Sequence, residues 1–219
     1  MTNVELARFN MVEQQVRPWD VLDPQVLELM ESTPREAFVP QGYENVAYAD
    51  IEIPIGHGET MLAPKYVGRM LQALNLHKSD VALEVGCGTG YVTALLAKAC
   101  REVISVDIHA DLVESARQNL RALDLNDNVM LETGDAANGW DAQHPYDVII
   151  VTGSLPVLPE TFQNSLNRGG RMVAVVGTAP VMEAILLTRT GTQEWRRETL
   201  FETNIKALAN STKPQRFVF

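Results

Sequence analysis

From residue 80 to residue 177, short apolar runs alternate with stretches whose apolar residues recur every three or four positions. The runs "VALEV" at 81–85, "EVISVDI" at 102–108, "VMLET" at 129–133, "YDVIIVT" at 146–152 and "RMVAVV" at 171–176 have strand length. Apolar and β-branched residues dominate them, as in strands covered on both faces. Between them "YVTALLAKAC", "ADLVESARQNLRALDL" and "PETFQNSLN" predict helices. This alternation specifies a parallel sheet with helices packed on it, a doubly wound α/β fold. After Gly177 the helical period stops, and "EAILLTRT" and "EWRRETLF" predict antiparallel strands at a β-rich C-terminal edge.

The first 60 or so residues have another texture. Asp23-Pro24 has the form of an N-cap followed by proline at the first helical position, opening a helix "PQVLELMES" that stops near Pro34. Turn formers crowd "REAFVPQGYENVAYADIEIPIGHGET", which predicts loops with short extended pieces. Next, "PKYVGRMLQALNL" places Val67, Met70, Leu71 and Leu74 on one helical face. The change of texture divides a single folded unit into an N-terminal cap with an acceptor segment, 1–64, and a core with its β-rich extension, 65–219. The turn-rich cap is expected to close over a site rather than to build a core. Arg17, Trp19 and Asp20 in "QQVRPWD" either cap an acceptor pocket or form a packed turn.

Composition narrows the partners. A chain of 219 residues with 46% hydrophobic and 21% charged residues is an ordinary globular protein. Its net charge of −10 argues against a nucleic-acid binder, which needs a basic face. The polar N-terminus does not have the form of a signal peptide, and no apolar run approaches a membrane span. Two cysteines, Cys87 and Cys100, suit a reducing compartment, so a soluble cytoplasmic protein is expected. His57, His77, His109 and His144 show no metal-ligand spacing, and no metal is expected. His57 is either a base or a solvated loop residue.

The candidate chemistry centres on "EVGCGTGY", Glu84 to Tyr91, where a strand hands over to a helix. Three glycines there (Gly86, Gly88, Gly90) allow a tight turn and close approach of a ligand to the backbone. The next strand ends in Asp107, 21 positions after Gly86, placed to hydrogen-bond a ribose diol. A dinucleotide site favours G-x-G-x-x-G, whereas here the third interval is shorter and bulky Tyr91 follows. Glu84 would repel a pyrophosphate but tolerates a ligand carrying an ammonium group. "LEVGCGTGY" closely resembles the loop of S-adenosylmethionine-dependent methyltransferases, and "ETGDA" supplies the acid, Asp135, that such enzymes set against adenine. The cofactor site implied is Glu84, Gly86, Cys87, Gly88, Thr89, Gly90, Tyr91, Asp107, Ile108, Asp135 and Ala136. Cys87 within it reads as a small residue that fits the turn.

Outside the loop, "PREAFVP", "AYADIEIPIGHGETMLAP", "PYDVIIVT", "LNRGGRMVAVVG" and the final "RFVF" follow the order seen in protein-L-isoaspartate O-methyltransferases. The resemblance runs from about Asp23 to Phe219 and implies a Rossmann-like class I methyltransferase. It implies S-adenosylmethionine as cofactor and methylation of isoaspartyl carboxylates in damaged proteins. Relatives place Gly-Gln-Thr-x-Ser before the long helix; here the matching residues are Gly58-Glu59-Thr60-Met61-Leu62. Thr60 is kept, Glu59 replaces glutamine and Leu62 replaces serine, so Thr60 and Glu59 are the catalytic candidates. A hydroxyl donor is lost, and a carboxylate stands where an acceptor carboxylate should bind. The family's alanine pair after "IIVT" becomes Gly153-Ser154. Two alternatives stay open: a hydroxyl or phenol acceptor with Glu59 as general base, and a cofactor-binding protein without turnover.

Overall fold

The computed structural model describes residues 2–140, 142 and 145–214, which leaves His144 and the final "RFVF" outside the described residues. Seven strands form the central sheet: β3 (Val81–Val85), β4 (Glu102–Asp107), β5 (Val129–Thr133), β6 (Tyr146–Leu155), β7 (Leu166–Thr178), β8 (Val181–Arg189) and β9 (Trp195–Thr203), in the order β5-β4-β3-β6-β7-β8-β9. Strands β5 to β7 run parallel, while β8 and β9 return antiparallel. The strand order reverses between β3 and β6, and at such a switch point the carboxyl ends of the strands leave a crevice.

Alternation along each strand sorts the core into two layers. Ala82, Val103, Val148, Ile150, Val173 and Val175 face α3 (Pro64–Leu74) and α4 (Tyr91–Ala99). Leu83, Val85, Ile104, Val106, Ile149 and Val151 face the other way, where Phe162 of α6 (Glu160–Asn164) covers them. Helix α5 (Ala110–Ala122) packs on β4 and β5. The expected helix at 159–167 is shorter, because β7 begins at Leu166, which pairs with Tyr146.

The N-terminal segment departs most from its expected role. Helix α1 (Asn3–Met11) leads through a tightly coupled turn (Val12–Val16, Arg17–Trp19) to α2 (Pro24–Ser32). Met11, Val12, Val16, Val21 and Met30 are buried in the same cluster as α3 and α4. Gly68 of α3 makes room for this contact, since a Cβ there would lie 2.8 Å from Val16. The apolar residues of the first 40 therefore build core on one sheet face, while Arg35 lines the cavity beside the cleft. Burial of whole apolar side chains, each worth about 1.5–3 kcal/mol, outweighs the loose appearance of the sequence. Trp19 makes a packed corner, edge-on to Tyr66 and Phe201 at 5.5 and 5.8 Å. Arg17 pairs with Glu13 one turn back, and Asp20 lies 3.7 Å from Arg69.

Arg35 and the end of the cap reach the site. β1 (Ile53–Gly56) and β2 (Glu59–Met61) form a small hairpin, with His57 at its tip in the left-handed region at φ 53°.

Candidate active site

A cleft of about 730 Å³, counting its open mouth, lies over the carboxyl ends of β3, β4 and β6. Four parts of the chain line it: the hairpin, the strand tips, the loop after β5, and a C-terminal strap at 205–209. Gly86, Gly88, Asp107, Ile108, Asp135, Ala136, Glu59 and Thr60 all face this cleft. Glu84, Cys87, Thr89 and Tyr91 line a second cavity that adjoins it beneath the loop and shares Gly86 and Gly88 with it. Gly90 lines neither; its role is to let α4 start against Ala116 of α5, whose Cβ would lie 3.1 Å from an added Cβ.

Two glycines explain why the loop carries no side chains at its centre. Gly86 (φ 94°) sits where a Cβ would come within 2.4 Å of the Thr152 hydroxyl. Gly88 (φ 51°) sits under the hairpin, where a Cβ would meet Ile55 at 2.9 Å. Backbone and lid residue thus approach as closely as chemistry permits.

The strand-tip acids are held by backbone donors. Asp107 is buried, and its two oxygens accept from the N–H groups of Gly88 (2.9 Å) and His109 (3.0 Å). Each carboxylate oxygen retains further acceptor capacity for a diol. Asp135 accepts from the Ala137 N–H at 3.1 Å and from the Asn210 side chain at 2.9 Å.

Glu84 is fully buried on the β3 face towards α4. One oxygen accepts from the Thr93 hydroxyl at 2.5 Å and the Ser105 hydroxyl at 2.6 Å; the other has no protein partner. Burial pushes its carboxyl up to about 7, against the pull of the two hydroxyls. Across the same cavity, Arg35 is fully buried, donating to the carbonyls of Ala47 and Leu62, both at 2.7 Å, while its Nη1 is unpartnered. An orphaned acceptor and an orphaned donor in one cavity match the ammonium and carboxylate of an amino-acid ligand. The Cys87 thiol is pushed well up by burial and by Asp107 and Glu84, so it is inert and fills space.

The acceptor end differs from expectation. Glu59 forms an ion pair with Lys206 of the strap, so the carboxylate expected to confront an acceptor is already compensated. Thr60 gives its single hydroxyl proton to Glu52 at 2.9 Å. Leu62 is buried, with its carbonyl held by Arg35. His57 contacts Asp111 at 2.8 Å and stacks on His109 with ring centroids 4.0 Å apart, so it ties the hairpin to α5 and does not point into the cleft as a base. The strap docks on β6: Ser154 donates from its N–H to Lys206 and from its hydroxyl to Ile205, and Leu208 returns a bond to Ser154. Gly153 is required there, because a Cβ would lie 2.7 Å from the Leu208 side chain. The unusual Gly153-Ser154 pair is thus the seat of the strap.

Arg35, Glu52, Thr152, Lys206 and Asn210 complete the site without having been singled out in the sequence. Arg35 carried a signal, as part of "PREAFVP"; Lys206 and Asn210 carried none. Among the described residues no helix is long and apolar enough to cross a membrane.

Comparison with known proteins agrees with this geometry. The family model described as protein-L-isoaspartate(D-aspartate) O-methyltransferase matches residues 8–204. Protein-L-isoaspartate O-methyltransferase 1 of Rhodopseudomonas palustris (strain HaA2) is 38% identical over 208 residues, 94% of this chain and 84% of the relative. Protein-L-isoaspartate O-methyltransferase 2 of Pelobacter propionicus is 38% identical over 201 residues, 91% and 89% of the two chains. In fold, a Plasmodium falciparum protein described as a beta-aspartate methyltransferase, solved with S-adenosyl-L-homocysteine, superposes with a TM-score of 0.80 at 20% identity. It covers 96% of this chain and 100% of its own.

Proposed function

The chain belongs to the protein-L-isoaspartate(D-aspartate) O-methyltransferase family, and we propose that its cleft methylates the free α-carboxylate of isoaspartyl residues in damaged proteins, as a cytoplasmic enzyme. The cofactor is S-adenosylmethionine, which supplies an electrophilic methyl group on a sulfonium. Asp107 takes the ribose hydroxyls, Asp135 with Ala136 the adenine, and Ile108 flanks the base. The Gly86–Gly90 backbone lies along the ligand, with Cys87, Thr89 and Tyr91 packed behind it. Glu84 and Arg35 take the ammonium and carboxylate of the amino-acid end. The unpartnered oxygen of buried Glu84 carries this assignment. An ammonium beside it turns an expensive buried carboxylate into a satisfied pair.

The acceptor end is formed by the hairpin with Leu62 and by the strap at 205–209. A carboxylate acceptor is already ionised at neutral pH, so the site needs no general base. Its tasks are to orient one carboxylate oxygen in line and to exclude water, which Ile55, Leu62, Ile205 and Leu208 do with apolar walls. Glu59, paired with Lys206, is a positioning group in this reading, and Thr60 ties the hairpin to Glu52. A base at Glu59 for a hydroxyl acceptor would have to take up a proton in competition with its ammonium partner, which disfavours that alternative. The test is turnover: the isoaspartyl form of a peptide should be methylated and its normal aspartyl form should not. Methylation of neither form, with cofactor bound, would mean another acceptor or no enzyme.

A further inference from the structure

We infer that Lys206 is the residue that recognises the acceptor carboxylate, with Glu59 holding it in position; this rests on the function proposed above. Within the segment where relatives carry glutamine and serine, this chain offers an acceptor no free side-chain donor. Glu59 is an acceptor only, Leu62 is apolar, and the Thr60 proton is committed to Glu52. Among the described residues lining the main cleft, Asp107, Asp135 and Glu59 are acidic, and Lys206 is the one lysine or arginine.

The lysine ammonium has three N–H groups. One goes to Glu59 and one to the Gly58 carbonyl at 3.0 Å, which leaves a third for a ligand. The side chain is half exposed, so an incoming carboxylate reaches it without breaking the pair. Glu59 then has two effects. It fixes the ammonium at the hairpin edge, and it balances that charge beside a cationic cofactor. The strap's seat on Gly153 and Ser154 holds the lysine backbone in place. The departures from the family's segment thus belong together: a hydroxyl donor is replaced by an ammonium that arrives from another part of the chain.

The experiment compares wild type, Lys206→Met and the double variant Lys206→Met/Glu59→Met, which removes the carboxylate without adding a donor, on an isoaspartyl peptide, with S-adenosylmethionine affinity measured by calorimetry. Loss of a charge-assisted bond should raise KM for the peptide about tenfold in Lys206→Met, with cofactor affinity unchanged. Lys206→Arg should recover part of the loss. The double variant separates recognition from mere neutralisation: if Lys206 binds the acceptor, KM stays high after Glu59 is also neutralised. Recovery of KM in the double variant, or an unchanged KM in Lys206→Met, overturns the assignment while the proposed function stands. Failure of wild type to methylate the isoaspartyl peptide overturns both. If Lys206→Met fails to bind cofactor, Lys206→Gln, which keeps a donor and drops the charge, carries the same comparison.

Discussion

Asp107 and Asp135 stand at the ends of neighbouring strands and are fixed by the N–H groups of His109 and Ala137, two residues further along the chain. At the other end of the cleft Glu59 is fixed by Lys206, 147 residues away. The cofactor end is therefore mostly a product of local geometry, in which strand, turn and helix place the glycine loop and Asp107, while Asn210 adds one distant donor to Asp135. The acceptor end is assembled from a hairpin and a strap that meet only in the finished fold. Variation in one half need not disturb the other, which is how an unaltered cofactor loop coexists with a rewritten acceptor segment.

The contrast is tested hardest at Glu84. Its carboxyl is raised to about 7 in the folded chain from 4.5. The stabilisation this gives is fully present below pH 4.5, where folded and unfolded chains are both protonated there, and is lost as pH rises through about 7. The loss is about 3 kcal/mol. Urea unfolding of the cofactor-free protein should show the stability gap between wild type and Glu84→Gln shifting in favour of glutamine by that amount between pH 4.5 and 8. A gap that ignores pH would mean the carboxylate is solvated or paired.

Asp107→Ala should come next in size. It should weaken S-adenosylmethionine binding by roughly 1.5–3 kcal/mol, since charge-assisted bonds are lost, and leave the acceptor KM alone. Unchanged affinity in calorimetry would remove the ribose assignment. The smallest effect is expected at Gly153→Val, which pushes against Leu208 and tilts the strap. Overpacking of this kind costs about 1–2 kcal/mol. Here the acceptor KM should rise while cofactor affinity holds, and a loss confined to the cofactor would erase the division between the two halves.

What could be read in the sequence follows the same line. The succession of strands and helices, the glycine turn and the placing of Asp107 and Asp135 at the strand tips were legible because a few adjacent residues encode each of them. The face of α3 was legible from period alone, and all four of its marked residues are buried. Lys206 was not, because nothing near it in the chain differs from an ordinary exposed lysine. Glu59 was recognised as a departure, yet its meaning was inverted without its partner: a repelling charge became half of an ion pair. Helix α1 was missed although Thr2-x-x-Glu5 forms a capping box at its start. Its low amphipathicity hid the packing of Met11, Val12 and Val16, which depends on a glycine 50 or so residues later.

The strap also sets the order in which the molecule becomes competent. Strands β3 to β6 and their loops can pair as soon as residue 155 or so is available, but the ammonium at 206 lies about 50 residues further along the chain. Closing a loop of that length is among the slower contacts a domain makes. A chain clipped before Ile205 would keep the backbone donors of Asp107 but lose both Lys206 and the Asn210 donor to Asp135.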